Sequence, residues 1–203
     1  MKIQVTTKLS CLTMGLLLLV ACTTTKVLHE WRNTDVNGAR LGHLTVVALF
    51  KQDQARRLWE DEFAWQISNH GQMVTRSYNL VPSLNENTTG QLGSLALALR
   101  ADGILVIRMV NSKQPAETAA DNSPPIPMNL SGFLQHSWKD NYDPPELMTN
   151  AVMTVESRLF DAKNGKLVWS LATQSKNQFG LKWEITLLAK RVLGKLKDAT
   201  QTK

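Results

Sequence analysis

Cysteine is nearly absent from this chain of 203 residues. The two present, Cys11 and Cys22, both fall within the first 22 positions. The rest of the chain therefore has no disulfide and no thiolate metal site. Aromatic residues make up 6% of the chain, with only two tyrosines. The four histidines, His29, His43, His70 and His136, include no His-x-x-x-His pair, so a zincin-type site is excluded. There is no Gly-x-Ser-x-Gly elbow, no phosphate loop and no Gly-x-Gly-x-x-Gly turn. No cofactor is expected. Charge of one sign is not concentrated either: the net charge of +6 falls to +4 without Lys2 and Lys8, and it is spread along the chain. A nucleic-acid partner, which calls for clustered Lys and Arg, is not expected.

What is present begins with the amino terminus. MKIQVTTKLS carries two lysines and no acid, and an apolar run of about a dozen residues follows. That run suits a secretory h-region and is too short to span a bilayer. It ends at Leu19-Val20-Ala21-Cys22, which resembles the lipobox of bacterial lipoproteins. The resemblance implies removal of residues 1–21 by cleavage between Ala21 and Cys22. It also implies a diacylglyceryl thioether on Cys22 and an acyl group on the new amine. Two or three chains hold a protein stably on a bilayer, at ~0.8 kcal/mol per buried CH₂. The residue after the cysteine is Thr23 rather than the Asp that tends to retain lipoproteins at the inner membrane. The expected location is the outer membrane, on its periplasmic face.

Hydrophobic residues at 43% and charged residues at 20% are enough to build a core in the remainder. Residues 22–43 read as a tether and an extended arm whose Trp31 packs on a domain over 44–203. Leu44–Phe50 is β-branched and apolar, hence a strand. A helix is expected from Asp53 to Asn69, stopped by Gly71. Ala55, Leu58, Trp59, Phe63, Trp65 and Ile67 form its apolar arc, with Arg57, Glu60 and Asp61 opposite. Gly71–Ser77 reads as a strand. Thr88 to Gln91 has capping-box spacing ahead of Leu92, Leu95, Ala96 and Leu99. Gly103–Val110 reads as a strand covered on both faces. Residues 111–148, with Pro115, Pro124, Pro125, Pro127, Pro144 and Pro145, read as a long loop. Ala151–Phe160 alternates, Met153, Val155 and Leu159 against Thr154, Glu156 and Arg158. Asn164-Gly165 turns it into Lys166–Ala172, a hairpin. A last helix covers Leu181–Ala199, with Lys182, Lys190, Arg191, Lys195 and Lys197 set against Glu184 and Asp198. The fold class is a single α+β domain with a mixed sheet and about three helices.

The hairpin RLFDAKNGKLVWS, with the ILVIRMV strand before it, resembles a broad group of small bacterial envelope lipoproteins. The group includes curli-secretion-type lipoproteins and activators of cell-wall synthases. Their domain is similar to the N-terminal domain of the Tol-system propeller protein, a mixed sheet with packed helices. The resemblance implies binding or assembly rather than catalysis, and it carries over no catalytic residue. Long barrel-forming hairpins have no counterpart in the Pro-rich segment, so a pore role does not transfer.

The densest polar cluster is His136, Asp140, Asp143 and Glu146. It reads either as an acid–base or cation site or as a solvated loop. The nearby Phe133, Trp138 and Tyr142 are candidate partner-binding residues, because aromatics dominate interface hot spots. The sequence thus leads to a lipid-anchored, non-enzymatic accessory or assembly factor, held to the membrane by covalent lipid and binding an envelope protein or the cell wall. The alternatives are an envelope hydrolase using the His136–Glu146 loop, or a ring-forming secretion component. No metal site is expected.

Overall fold

The arm that precedes the first expected strand is itself a strand. In the computed structural model, which describes residues 25–34, 41–110, 127, 129–139 and 152–201, β1 (Lys26–Arg32) lies antiparallel against a later strand, so the domain begins close to Cys22. The expected mixed sheet is present. After β1 come β2 (His43–Leu49), α1 (Asp53–Asn69), β3 (Met73–Arg76), α2 (Glu86–Ala98) and β4 (Gly103–Val110). Then follow α3 (Leu130–Lys139), β5 (Val152–Asp161), β6 (Leu167–Lys176) and α4 (Leu181–Gln201). The six strands run in the order β1-β6-β5-β4-β2-β3. The β2 pairings to β3 and β4 are parallel, and the others are antiparallel.

Period-two alternation divides the sheet between two cores. Leu44, Val46 and Ala48 of β2, with Leu105, Ile107 and Met109 of β4, point to one face. Trp59, Phe63 and Ile67 of α1 and Ile185, Leu188, Val192 and Leu196 of α4 cover them there. Val47 and Leu49, with Ile104 and Val106, point to the other face, beneath Leu92 of α2 and Leu130, Phe133 and Leu134 of α3. Gly103–Val110 is buried along its whole length, as an apolar run covered on both sides must be. Trp31 of β1 packs against the second core, as the arm reading anticipated.

Helix ends follow local chemistry. The capping box before α2 sits one turn earlier than the Thr88–Gln91 spacing suggested. Asn85 Oδ1 accepts from the Thr88 N–H at 2.9 Å, and Thr88 Oγ1 accepts from the Asn85 N–H at 2.8 Å. Leu99 falls beyond the end of that helix and is exposed. Gly71 ends α1 with φ +78°, and Gly165 turns the β5–β6 hairpin with φ +67°.

One correction concerns 111–148, read as loop throughout. Its described part contains α3. Asn129 Oδ1 accepts from the Gly132 N–H at 2.8 Å at the start of the helix, and Leu130, Phe133, Leu134 and Ser137 form a buried stripe at i, i+3, i+4, i+7. A second correction concerns α1. Glu60, expected on the solvent side, is fully buried, whereas Trp65, expected in the apolar arc, is 54% exposed.

Candidate functional site

Among the described residues, buried ion pairs stand at two places, and the two differ in kind. On α1, Arg56 and Glu60 stand one turn apart and both are fully buried. Every visible demand of the pair is met. Arg56 donates from Nε to Glu60 Oε1 at 3.0 Å, from Nη1 to the Val81 carbonyl at 2.8 Å, and from Nη2 to Ser77 Oγ at 2.6 Å. Glu60 also accepts from the Ser77 hydroxyl and from the backbone N–H groups of Ala48 and Tyr78. A closed network of this kind fixes α1 against β2 and the turn after β3. Nothing in it faces a ligand.

The second place lies under α3. Arg108 of β4 and Glu156 of β5 are direct cross-strand partners, and Arg108 Nε donates to Glu156 Oε2 at 2.6 Å. Arg158, two residues along the same strand face, donates from Nε to Glu156 Oε1 at 2.7 Å and from Nη1 to the Pro127 carbonyl at 3.1 Å. Both guanidinium groups sit over the Phe133 ring, Arg158 at 4.1 Å and Arg108 at 5.2 Å from its centre. The face of β5 that alternation marked as polar is therefore polar but not wet.

That geometry bears on the candidate partner-binding residues. Phe133 is fully buried, with one neighbour in Phe160 at 5.5 Å and the two arginines over its ring. It is a core residue and cannot meet a partner at the surface. Trp138 is partly buried against the same core. Tyr142 lies outside the described residues, as do Asp140, Asp143 and Glu146 of the polar cluster, and Ala21 and Cys22. His136 is half-buried on α3. Among the described residues, no group of three or more His, Cys, Asp or Glu stands together as metal ligands would. Nor is any described helix long and apolar enough to cross a membrane.

The surface feature that stands out was not anticipated. Trp65 of α1, Phe179 of the β6–α4 turn and Trp183 of α4 are 54%, 69% and 55% exposed. They line one shallow trough of about 680 Å³. Local chemistry holds the rings out. Gly180 has φ +99°, and the Gln178 N–H donates to Glu184 Oε1 at 3.2 Å, so a buried Glu184 ties the turn to the helix and Phe179 projects. In the sequence Glu184 reads only as a charge set against the lysines of α4. Its place in the first turn of the helix was the available signal, since a carboxylate there meets the free N–H groups. At the floor of the trough, Thr186 Oγ1 donates to Glu62 Oε2 at 2.9 Å and Lys182 Nζ stands 3.4 Å from Glu62 Oε1.

One carboxylate ties the first strand to the body. Glu30 accepts from Trp169 Nε1 at 3.2 Å and Arg32 Nη2 at 3.0 Å, and its other oxygen meets Lys195 Nζ at 3.2 Å. Burial alone would raise its pKa, but the hydrogen bonds from Trp169, Arg32 and Lys195 outweigh that, and the carboxyl sits below its ordinary value.

No protein-family profile matches the sequence, and no curated protein matches it. Among solved structures, a single-substitution variant of the PelC dodecamer from Paraburkholderia phytofirmans is similar at a TM-score of 0.47 and 13% identity, over 89% of this chain and 99% of that one. The unsubstituted PelC dodecamer from the same organism gives 0.44 and 14%, over 88% and 99%. Lipoprotein GNA1162 from Neisseria meningitidis gives 0.40 and 14%, over 79% and 99%. Likeness at this level carries no statement of function. The resemblance to the N-terminal domain of the Tol-system propeller protein gains no support from these three.

Proposed function

We propose that this chain is a bacterial envelope lipoprotein, anchored through Cys22 to the periplasmic face of the outer membrane. Its role is that of a non-enzymatic accessory or assembly factor, with an envelope protein or the cell wall as partner. The observation that carries this reading is Leu19-Val20-Ala21-Cys22 at the end of a short apolar run, with the first strand starting at Lys26. A stretch so short leaves the domain at the membrane surface, where tethering raises its effective concentration toward other envelope components. Thr23, in place of Asp, supports the outer membrane.

Labelled palmitate and the intact mass of the mature amino terminus test the anchor. The wild type should take up label and begin at an acylated Cys22, and Cys22→Ala should take up none. An unlabelled wild type, or a labelled Cys22→Ala, overturns the reading. Crosslinking in intact cells followed by purification of the acylated protein then tests the accessory role, which requires a recurrent envelope partner.

A further inference from the structure

The exposed rings of the α1–α4 face need an occupant, and their place relative to the chain's start points to one. We infer that the trough of Trp65, Phe179 and Trp183 rests on the bilayer surface to which Cys22 is tied. The inference depends on the lipid-anchor reading above.

Position is the first argument. Lys26 pairs with Gln174, and β6 continues only to Lys176 before the turn that carries Phe179. The start of the described fold, the end of β6 and Phe179 therefore share one end of the sheet. Val152, 52% exposed and paired with Lys176, is at the same end. Three residues separate Cys22 from Lys26, a span of about 14 Å when extended. An anchor on so short a leash presses this end of the domain, and not the opposite one, toward the lipid.

Chemistry is the second argument. Tryptophan has an apolar body and one N–H, and it partitions into the zone between headgroups and acyl chains. Two such rings and a phenylalanine on one trough suit that zone. The charges around them suit it too. Lys26 and Lys176 are exposed, and the Lys182 side chain is 75% exposed in the first turn of α4. Lysines beside an anionic surface each add attraction that fades within a Debye length. The acid within the trough, Glu62, is only 12% exposed and is engaged by Thr186 and Lys182.

The test reconstitutes the acylated mature protein, beginning at Cys22, in vesicles of phosphatidylcholine and phosphatidylglycerol, with or without bromines on the upper acyl chain. Trp59 and Trp169 are buried and silent to such a contact quencher. Two of the six tryptophans line the trough, so bromine should lower emission by roughly a third. Trp65→Phe with Trp183→Phe should abolish that fall, with far-UV circular dichroism unchanged. Phe179→Ser should reduce it. Protein that floats with the vesicles while its emission ignores bromine overturns the inference. So does quenching that persists in the double variant, or crosslinking of the trough to a second protein copy. The acyl mass is measured first. If it is absent, the anchor reading fails by itself. The same quenching is then read on a Cys11→Ala chain coupled through the Cys22 thiol to a maleimide-headgroup lipid, where the same outcomes decide the trough.

Discussion

Glu60→Ala removes the carboxylate on which four donors converge: Arg56 Nε, the Ser77 hydroxyl, and the N–H groups of Ala48 and Tyr78. Arg56 is also its charge partner. Arg56 is fully buried, so it keeps its charge with no counter-ion and cannot reach water without opening α1. Removing one partner of such a pair costs about 3–5 kcal/mol. For a domain of this size that is a fall in Tm of about 6–20 °C. Guanidinium unfolding followed through Trp59, which neighbours the network on α1, reads the change directly. The double change Arg56→Met with Glu60→Leu removes both charges and keeps the volume, so it should recover most of the loss. A Glu60→Ala cost below about 1 kcal/mol would show that the pair is not held in a dry site. A double variant as unstable as the single would show that the hydrogen bonds to backbone, rather than the stranded charge, set the energy.

The other perturbations probe separate joints of the fold. Phe133→Ala should cost about 3–5 kcal/mol, because it empties a core position beneath two guanidinium groups; any loss of partner binding should then track loss of folded protein in a thermal melt, and selective loss with an unchanged melt would contradict its burial. Glu30→Gln should flatten the acid limb of stability: with its folded pKa depressed, the carboxylate stabilises above the ordinary carboxyl range, and that contribution is lost as pH falls through the folded value. Urea midpoints of the two proteins should thus differ near neutral pH and converge in acid. Asn85→Ala should cost about 1 kcal/mol and Asn85→Gly only a few tenths, measured by urea titration, because glycine tolerates the cap conformation that alanine does not favour.

Most strands were legible because their information is local. Gly103–Val110 spells out double-sided burial in consecutive apolar residues, and Asn164-Gly165 spells out a hairpin. The fate of β5's polar face was not local. Thr154, Glu156 and Arg158 alternate as a wet face should, and whether it is wet depends on what lies above it. What lies above is α3, whose stripe of Leu130, Phe133, Leu134 and Ser137 after Asn129 was overshadowed by the surrounding prolines. Reading that helix as loop removed the lid, and the buried arginines became invisible with it. Cross-strand register was needed as well, since only the pairing of β4 with β5 sets Arg108 opposite Glu156.

Helix α1 shows the same coupling from the other side. At 100° per residue the expected apolar arc was about 200° wide and ran from Trp65 to Ile67. The buried residues Gln66, Trp59, Phe63, Arg56, Ile67, Glu60 and Ala64 occupy about 160°, turned by about 80° toward Glu60. Hydrophobicity alone cannot produce that turn, since it exchanges a tryptophan for a glutamate. The exchange is stable because Arg56 and Glu60 are spaced at i, i+4 and neutralise one another. Their remaining demands fall on Ala48, Ser77, Tyr78 and Val81, which come together only in the folded chain. The i, i+4 spacing was readable, and Arg56 sits inside the expected apolar arc, between Phe63 and Ile67. The partners were not readable. The consequence reaches the surface: with the helix turned this way Trp65 cannot enter the core, and it is placed beside Phe179 and Trp183. The closed ionic network and the open aromatic trough are thus two results of one rotation, so a variant that restores an apolar pair at 56 and 60 should leave Trp65 where it is only if packing, rather than charge pairing, sets the angle of α1.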